Sequence, residues 1–162
     1  MTDRVWNSAF NLLIEFEGGF VDNPNDKGGA TKYGISKEQY PDLDIENLTL
    51  DKAKEIYRRD YWDRYKCRFL PDSLSIALFD SVVNSNAKRM TKFLQQALGV
   101  TADGVIGNQT IGAANRLPEK KVLNDFLDLR LEYLMSLKDW KYFGNGWGAR
   151  VSKLRKYCEV LI

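Results

Sequence analysis

With 162 residues, 44% of them hydrophobic, the chain is long enough for one domain with a core, and no stretch approaches the roughly 20 apolar residues of a membrane-spanning helix. It has no histidine, which excludes Ser-His-Asp and Cys-His catalytic sites and histidine-bound zinc, so an enzyme would depend on carboxylates, tyrosine, lysine or backbone groups. The net charge of +2 combines −4 in residues 1–60 (8 basic, 12 acidic) with +6 in residues 61–162 (16 basic, 10 acidic), which fits a polyanionic partner or, more simply, a solvated helix face.

The first predicted element is an amphipathic helix that Asp3 caps and that runs to about Glu17. Trp6, Phe10 and Leu13 share one face of this helix, and Glu17 continues the apolar stripe by one turn. A carboxyl group in such a place is partly desolvated, which favours the protonated form that a general acid needs. The simpler interpretation, a helix-end glutamate followed by a glycine cap, fits the local pattern equally well.

An irregular stretch follows over residues 18–35, with turn signals in its NPND and GG sequences and a short β-ribbon at about residues 30–35. Ser36 and Gln39 then form a capping box for a brief helix that Pro41 ends. The sequence therefore predicts that the chain turns back on itself directly after the first helix.

This turn gives Glu17 possible partners, because Asp26 and Thr31 are expected to face it across a cleft. Two carboxyl groups in unlike surroundings are the usual pair for glycoside cleavage. One donates a proton to the leaving oxygen, and the other stabilises the cation, attacks it or positions water, which the Thr31 hydroxyl would help to hold. Asp22 competes with Asp26 for the second role.

The remaining sequence is predicted to form six helices with apolar residues at helical spacing. Their expected starts are Leu50 after a Thr49 cap, Asp72 or Ser73, Ala87, Asn108, Pro118, and a point just before Val151. The helix from Asp72 or Ser73 to Val83 is apolar nearly all round, which indicates the buried central helix. Gly99 is expected to end the helix that starts at Ala87, and residues 144–148 (GNGWG) to interrupt the chain before the last helix.

The two cysteines, Cys67 and Cys158, are far apart in the sequence and match no metal-ligand spacing. Buried free thiols are the simplest expectation for both residues, with a bridge between them as the alternative.

Several stretches resemble glycoside hydrolase family 108, whose members are N-acetylmuramidases and in many cases phage endolysins. The family signature is similar to residues 13–21 (LIEFEGGFV) and 23–35 (NPNDKGGATKYGI), and its N-terminal region to residues 53–57 and 61–62. The predicted peptidoglycan-binding half that usually follows is similar to residues 79–80, 84, 94–100 and 103–110. The resemblance therefore covers most of the chain.

The resemblance implies a mainly α, lysozyme-like fold in one compact domain over residues 1–162, with a short β-ribbon after the first helix. Residues 8–70 would be the catalytic lobe and residues 71–160 the helical half with the peptidoglycan-binding region. Glu17 is implied as the catalytic acid, with Asp26 and Thr31 as its partners. A monomer without cofactor or metal would hydrolyse the β-1,4 bond between N-acetylmuramic acid and N-acetylglucosamine in peptidoglycan.

Three further residues are predicted to bind the glycan. Four aromatic residues, Tyr33, Tyr61, Trp62 and Trp147, offer planes on which a sugar ring stacks, and of these Tyr33 is favoured first and Trp62 second. Asn84, at the end of the central helix, would hydrogen-bond an acetamido group, although a buried structural amide is an equal alternative. Asp103 and Gly104 are interpreted as a turn rather than a ligand site.

Two other functions remain open at this point. A lytic transglycosylase also uses one glutamate but releases 1,6-anhydro products, and a wall-binding or secretion-related module would have no activity. A nucleic-acid partner is not expected, because the basic excess is modest and no readout motif occurs. Residues 1–7 lack the features of a secretory signal, so the enzyme is expected to be made in a host cytoplasm and to reach the cell wall after release by a holin.

Overall fold

The computed structural model describes residues 3–18, 20–22 and 29–162, with only the backbone described at residues 3 and 20–22. This part of the chain is mainly α-helical, as predicted. Its helices are α1 (Asp3–Glu17), α2 (Leu50–Tyr57), α3 (Asp72–Asn84), α4 (Ala87–Leu98), α5 (Asn108–Arg116), α6 (Glu119–Ser136) and α7 (Trp140–Glu159). Within the same ranges, no helix combines the length and the apolar character that crossing a membrane requires.

A three-stranded antiparallel sheet follows α1, so the predicted β-ribbon is confirmed and has one strand more than expected. In sheet order, its strands are β1 (Phe20–Asp22), β2 (Ala30–Lys32) and β3 (Ile35–Ser36). Thr31 pairs with Val21 on one side and with Ser36 on the other. The turn from β2 to β3 has left-handed backbone at Tyr33 (φ 53°) and Gly34 (φ 81°). This turn brings the sheet against the end of α1.

Helix α3 is the centre of the fold, as its sequence predicts, because residues 73–82 are all buried. Helices α1, α4, α6 and α7 each pack against it. The apolar stripe of α1 is buried as expected, and its Trp6 ring lies 5.2 Å from the ring of Phe79 in α3. The core thus fixes the end of α1 relative to α3 and α7, the three elements that carry the charged groups of the candidate site.

Helix α2 begins at the predicted cap, where the Thr49 side chain accepts a hydrogen bond from the Lys52 backbone N–H. It continues directly into a π-helical segment, Arg58–Asp63, which apolar periodicity does not predict. Such segments are rare and are often found at functional sites. The segment places Tyr61 beside the candidate site described below.

Two local predictions are wrong. Residues 37–39 form a turn instead of a brief helix, although the Gln39 N–H does donate to Ser36 Oγ at 3.2 Å. Residues 144–148 do not interrupt the chain but lie inside α7. A Cβ atom at Gly144 would lie 2.6 Å from the Trp140 ring. The glycine therefore gives space to an aromatic ring, and packing overrides its low helix propensity.

The loop between α4 and α5 is held by the buried amide of Gln95. Its Nε2 atom donates to Asp103 Oδ1 at 3.0 Å and to Thr110 Oγ1 at 3.1 Å, and its Oε1 accepts from Gly104 N–H at 2.9 Å. Asp103 Oδ1 also accepts from the Val105 N–H, which supports the turn interpretation of this motif. Its carboxylate is therefore engaged in holding the loop.

Cys67 and Cys158 are buried free thiols, as expected. Burial raises the pKa of both, that of Cys158 to about 12. Because the thiolate is the reactive form, both side chains are inert packing groups at neutral pH.

Candidate active site

Glu17 is the last residue of α1, and its side chain lines a pocket of about 200 Å³. The helix ends in the way that the simpler sequence interpretation expects: Gly18 is left-handed (φ 71°), and its N–H donates to Ile14 O at 3.2 Å. The glycine cap and the pocket-facing carboxyl group are thus parts of one arrangement. The cap turns the chain away and leaves the end of the helix open to the pocket.

Polar groups from four parts of the fold surround this pocket. Its lining consists of Glu17, Gly34, Ile35, Gln39, Tyr40, Tyr57, Tyr61, Val83 and Asn84. Among these described residues, Glu17 carries the only carboxyl group. The pocket therefore combines one acid with phenol and amide groups that can hydrogen-bond the hydroxyl and acetamido groups of a sugar.

Arg150 of α7 fixes the Glu17 carboxyl group. Its Nη1 donates to Glu17 Oε1 at 3.2 Å, while Nη2 donates to Asp80 Oδ1 at 2.8 Å and Nε to Asp80 Oδ2 at 3.3 Å. The guanidinium also lies 4.7 Å from the centre of the Phe16 ring. Because Asp80 and Phe16 hold the planar guanidinium in one orientation, Glu17 receives a donor at a defined position.

Asp80 lies within α3 and is buried between two arginines. Arg130 Nη1 donates to its Oδ2 at 2.9 Å, in addition to the Arg150 contact with Oδ1. Burial by itself would raise the pKa of Asp80, but the charges and hydrogen bonds of Arg130 and Arg150 outweigh it and lower that pKa below its usual value. Asp80 is therefore an ionised structural carboxylate that orients Arg150.

Asn84 lines the pocket, and its role in binding a glycan stays a prediction. It is an exposed residue and not the buried amide given as the alternative, although its side chain does hold an arginine. Its Oδ1 accepts from Arg130 Nη2 at 2.9 Å. Because a guanidinium is only a donor, the amide oxygen must be the atom that faces Arg130. The amide nitrogen, on the other branch of the planar group, is left to donate to a ligand such as an acetamido oxygen.

Gly34 brings the sheet into close contact with the candidate acid. A Cβ atom at this position would lie 2.5 Å from Tyr57 Oη and 3.1 Å from Glu17 Cδ. The Tyr57 hydroxyl in turn donates to Tyr33 O at 2.7 Å. Burial, followed by the nearby Glu17 charge, raises the pKa of Tyr57, so this phenol stays protonated and keeps its donor. Only glycine fits at position 34 without moving one of these groups.

Sequence reasoning missed Arg150, Tyr40 and Tyr57, whereas Tyr61, one of the aromatic candidates from the sequence, does line the pocket. Tyr40 Oη donates to Asp60 Oδ2 at 2.6 Å, and burial together with this hydrogen bond raises the pKa of Tyr40. Tyr57 and Tyr61 are four residues apart, and their rings are 5.9 Å apart. That spacing is a usable signal, since it puts two phenols on one helical face. No local pattern points to Arg150.

Of the predicted catalytic partners, Asp26 lies outside the described residues, and only the backbone of Asp22 is described, in β1. Thr31 lies in β2, partly buried and paired with Val21, and it is not part of the described pocket lining. Tyr33 contributes its backbone carbonyl to Tyr57, while its ring lies 5.6 Å from the Lys32 ammonium group.

Trp62 is not available for stacking on a sugar, which corrects the sequence prediction. Only 2% of its surface is exposed, and its ring packs 5.3 Å from Trp6 and 5.7 Å from Phe79. The π-helical segment turns this side chain into the core, where burying a large apolar ring is favourable. It supports the pocket wall from behind.

The chain was compared with family models, curated proteins and solved structures. The family model described as Glycosyl hydrolase 108 matches residues 10–85, a range that includes Glu17, Gly34, Asp80 and Asn84. No curated protein matches the chain. Among solved structures, SagA from Brucella abortus is 33% identical with a TM-score of 0.87, over 99% of this chain and 97% of that one. The chain therefore contains a glycosyl hydrolase 108 family domain over residues 10–85 and shares its overall fold with SagA.

Proposed function

We propose that this glycoside hydrolase is an N-acetylmuramidase that hydrolyses the β-1,4 bond between N-acetylmuramic acid and N-acetylglucosamine in peptidoglycan. The family domain over residues 10–85 supports the glycosidase class and a peptidoglycan substrate. The observation that carries the proposal is the Glu17 carboxyl group, which Arg150 fixes at 3.2 Å in a pocket of phenol and amide groups. Such a pocket suits the hydroxyl and acetamido groups of amino sugars.

In this mechanism, Glu17 protonates the glycosidic oxygen as the bond breaks. As the proton leaves, Arg150 stabilises the carboxylate that forms, because its guanidinium is already in place and needs no reorganisation. Asp26, or in its place Asp22, would stabilise the oxocarbenium-like state or position water together with Thr31.

A lytic transglycosylase is the second candidate. The observation in its favour is that Glu17 carries the only carboxyl group among the described residues of the pocket lining. With one glutamate as acid and then base, the C6 hydroxyl of the muramic acid residue can attack its own anomeric carbon. That step closes a 1,6-anhydro ring and releases the leaving sugar without consuming water.

Analysis of the released products separates these functions. Purified peptidoglycan is digested, its new ends are reduced with borohydride, and the fragments are identified by mass spectrometry. A muramidase leaves N-acetylmuramic acid at the reducible ends. N-acetylglucosamine at those ends, or anhydro ends that are one water lighter and resist reduction, would contradict the proposal. A wall-binding module would sediment with the wall and release no new ends.

We also propose that the enzyme acts as a monomeric endolysin and that residues 71–160 hold it on the wall. The similarity of residues 13–35 to the signature found in many phage endolysins supports this setting. Expression in bacteria with and without a co-expressed holin tests it. Lysis that requires the holin is the expected result, and lysis at the same rate without a holin would contradict it.

A further inference from the structure

A second groove lies beside the Glu17 pocket and shares Asn84 with it. It has a volume of about 440 Å³, and its lining includes Phe16, Trp147, Arg150 and Lys153. Arg150 also contacts Glu17, so the Glu17 carboxyl group lies between the pocket that it lines and the guanidinium that lines this groove. A glycosidase holds sugars on both sides of the bond that it cleaves, and its acid must lie between them. The position of Glu17 meets this requirement.

Trp147 gives this groove an aromatic wall. Its side chain is partly exposed and stacks on Phe143 at 5.7 Å with an angle of 28° between the rings, and Trp140 lies 6.3 Å away. The neighbouring Gly146, which also lines the groove, adds no side chain that would cover the ring. A rigid indole with one open face is suited to the apolar face of a sugar ring.

Lys153 gives the groove a cation that a ligand can recruit. Its ammonium group lies 3.3 Å from Glu15, and the two side chains are 59% and 60% exposed. Exposed pairs of this kind contribute little to stability, so exchanging Glu15 for a ligand carboxylate costs little. Arg150, in contrast, is committed to Asp80 and Glu17.

We propose that this groove is the subsite for the saccharide unit that lies across the cleaved bond from the unit in the Glu17 pocket. The ring of that unit would stack on Trp147, Asn84 Nδ2 would donate to its acetamido oxygen, and Lys153 would bind a carboxylate of muramic acid. In peptide-free muramic acid that carboxylate is the lactyl group, and where the lactyl group is amidated to a peptide it is a carboxylate of the stem. This inference rests on the proposed peptidoglycan substrate.

The test uses the full-length Glu17→Gln protein, so that ligands bind without being cleaved. Three soluble ligands are titrated by calorimetry and by NMR of the tryptophan indole N–H groups. They are N-acetylglucosamine tetramer, a peptide-free N-acetylglucosamine–N-acetylmuramic acid tetrasaccharide, and the same tetrasaccharide with its peptide stems. Trp147→Phe assigns the Trp147 indole signal, and the buried Trp6 and Trp62 serve as internal references.

The expected result is a shift of the Trp147 indole signal with every ligand. Trp147→Ala should weaken each affinity by about tenfold. Lys153→Met should weaken only the ligands that carry a carboxylate; an effect confined to the peptide-free tetrasaccharide identifies the lactyl carboxylate, and an effect confined to the stem-bearing ligand identifies a carboxylate of the peptide. The matched controls are Tyr142→Ala and Lys141→Met, exposed positions on the same helix that do not line the groove.

An unmoved Trp147 signal with a ligand whose binding calorimetry detects would overturn the subsite, whatever the stability of the variants. Equal losses for charged and uncharged ligands in Lys153→Met would overturn the carboxylate contact. These outcomes are distinct from failure of the proposed function, which would appear as an absence of new muramic acid ends from wild-type digestion.

Discussion

Arg150 donates a hydrogen bond to Glu17 across 3.2 Å, although 133 residues separate the two in the sequence. The contact joins the end of α1 to the middle of α7. Through the other edge of the same guanidinium, it also joins Glu17 to Asp80 in the core. Asp80, Glu17, Arg130 and Arg150 together form a charge-balanced group of two carboxylates and two guanidiniums. The candidate acid is therefore positioned by the packing of α1 and α7 on α3.

Replacing Arg150 should affect catalysis more than substrate binding. In Arg150→Gln the defined donor to Glu17 is lost, and the rate of wall hydrolysis should fall on the order of tenfold to a hundredfold, since small misplacements of a catalytic group have effects of that size. Reducing ends released per minute from purified wall measure this change.

Arg150→Lys is the informative companion, because it keeps the charge but loses the planar fork that reaches two carboxylates. It should remain well below wild-type activity, whereas the exposed Lys156→Gln should not change the rate. Full activity in both Arg150 variants would exclude a positioning role for this residue.

Asp80→Asn should strongly destabilise the fold. Removing the Asp80 charge leaves the buried Arg130 without a carboxylate partner and Arg150 with Glu17 alone, and such changes cost about 3–5 kcal/mol. Asp128→Asn is the matched control: Asp128 also pairs with an arginine, Arg155, but its side chain is 59% exposed, so about 0–1 kcal/mol is expected. Urea unfolding followed by circular dichroism measures both, and equal effects would argue against the buried network.

Ionisation of Asp80 should make the free energy of unfolding depend on pH. Because its pKa in the folded protein lies below its usual value, the unfolded chain binds a proton at Asp80 first as the pH falls. The stabilisation is therefore complete above about pH 4 and is lost as the pH falls through the folded-state pKa. The free energy of unfolding should decline less steeply below pH 4 in Asp80→Asn than in wild type. An identical slope would contradict the assignment of an ionised Asp80.

Gly34→Ala should reduce both stability and activity, because the new Cβ meets Tyr57 Oη and the Glu17 side chain. Gly99 provides the control, since it is also left-handed (φ 71°) but a Cβ atom there would have no neighbour within 4 Å. Gly99→Ala should therefore cost only the backbone strain of about 1–2 kcal/mol and leave activity unchanged. If the two variants lose activity equally, contact at Gly34 does not position Glu17.

Local patterns predict the parts of this structure that depend on local physics. The face of α1, the buried helix α3 and the cap at Gly99 all follow from periodicity and backbone preference. Glu17 stands out in the sequence because it continues an apolar stripe and because the missing histidines leave carboxylates as acids.

The predictions that fail depend on tertiary contacts. In the sequence, Arg150 is one member of a basic run, and only the fold brings it to Glu17 and Asp80. Aromatic composition cannot tell whether a ring faces the core or the solvent, so the prediction for Trp62 puts it in the wrong environment. The glycines of residues 144–148 indicate a break, but the helix is continuous there and the Trp140 ring occupies the space that a side chain at Gly144 would fill.

Glycan cleavage should depend on the proton that the Glu17 carboxyl group donates. Glu17→Gln removes this acid in a nearly isosteric change. New reducing ends released from purified peptidoglycan are measured for wild type, Glu17→Gln and the exposed-surface control Glu55→Gln. Glu55→Gln should match wild type, while Glu17→Gln should be folded and release ends at least about a hundredfold more slowly. A folded Glu17→Gln protein with wild-type activity would contradict this role of Glu17.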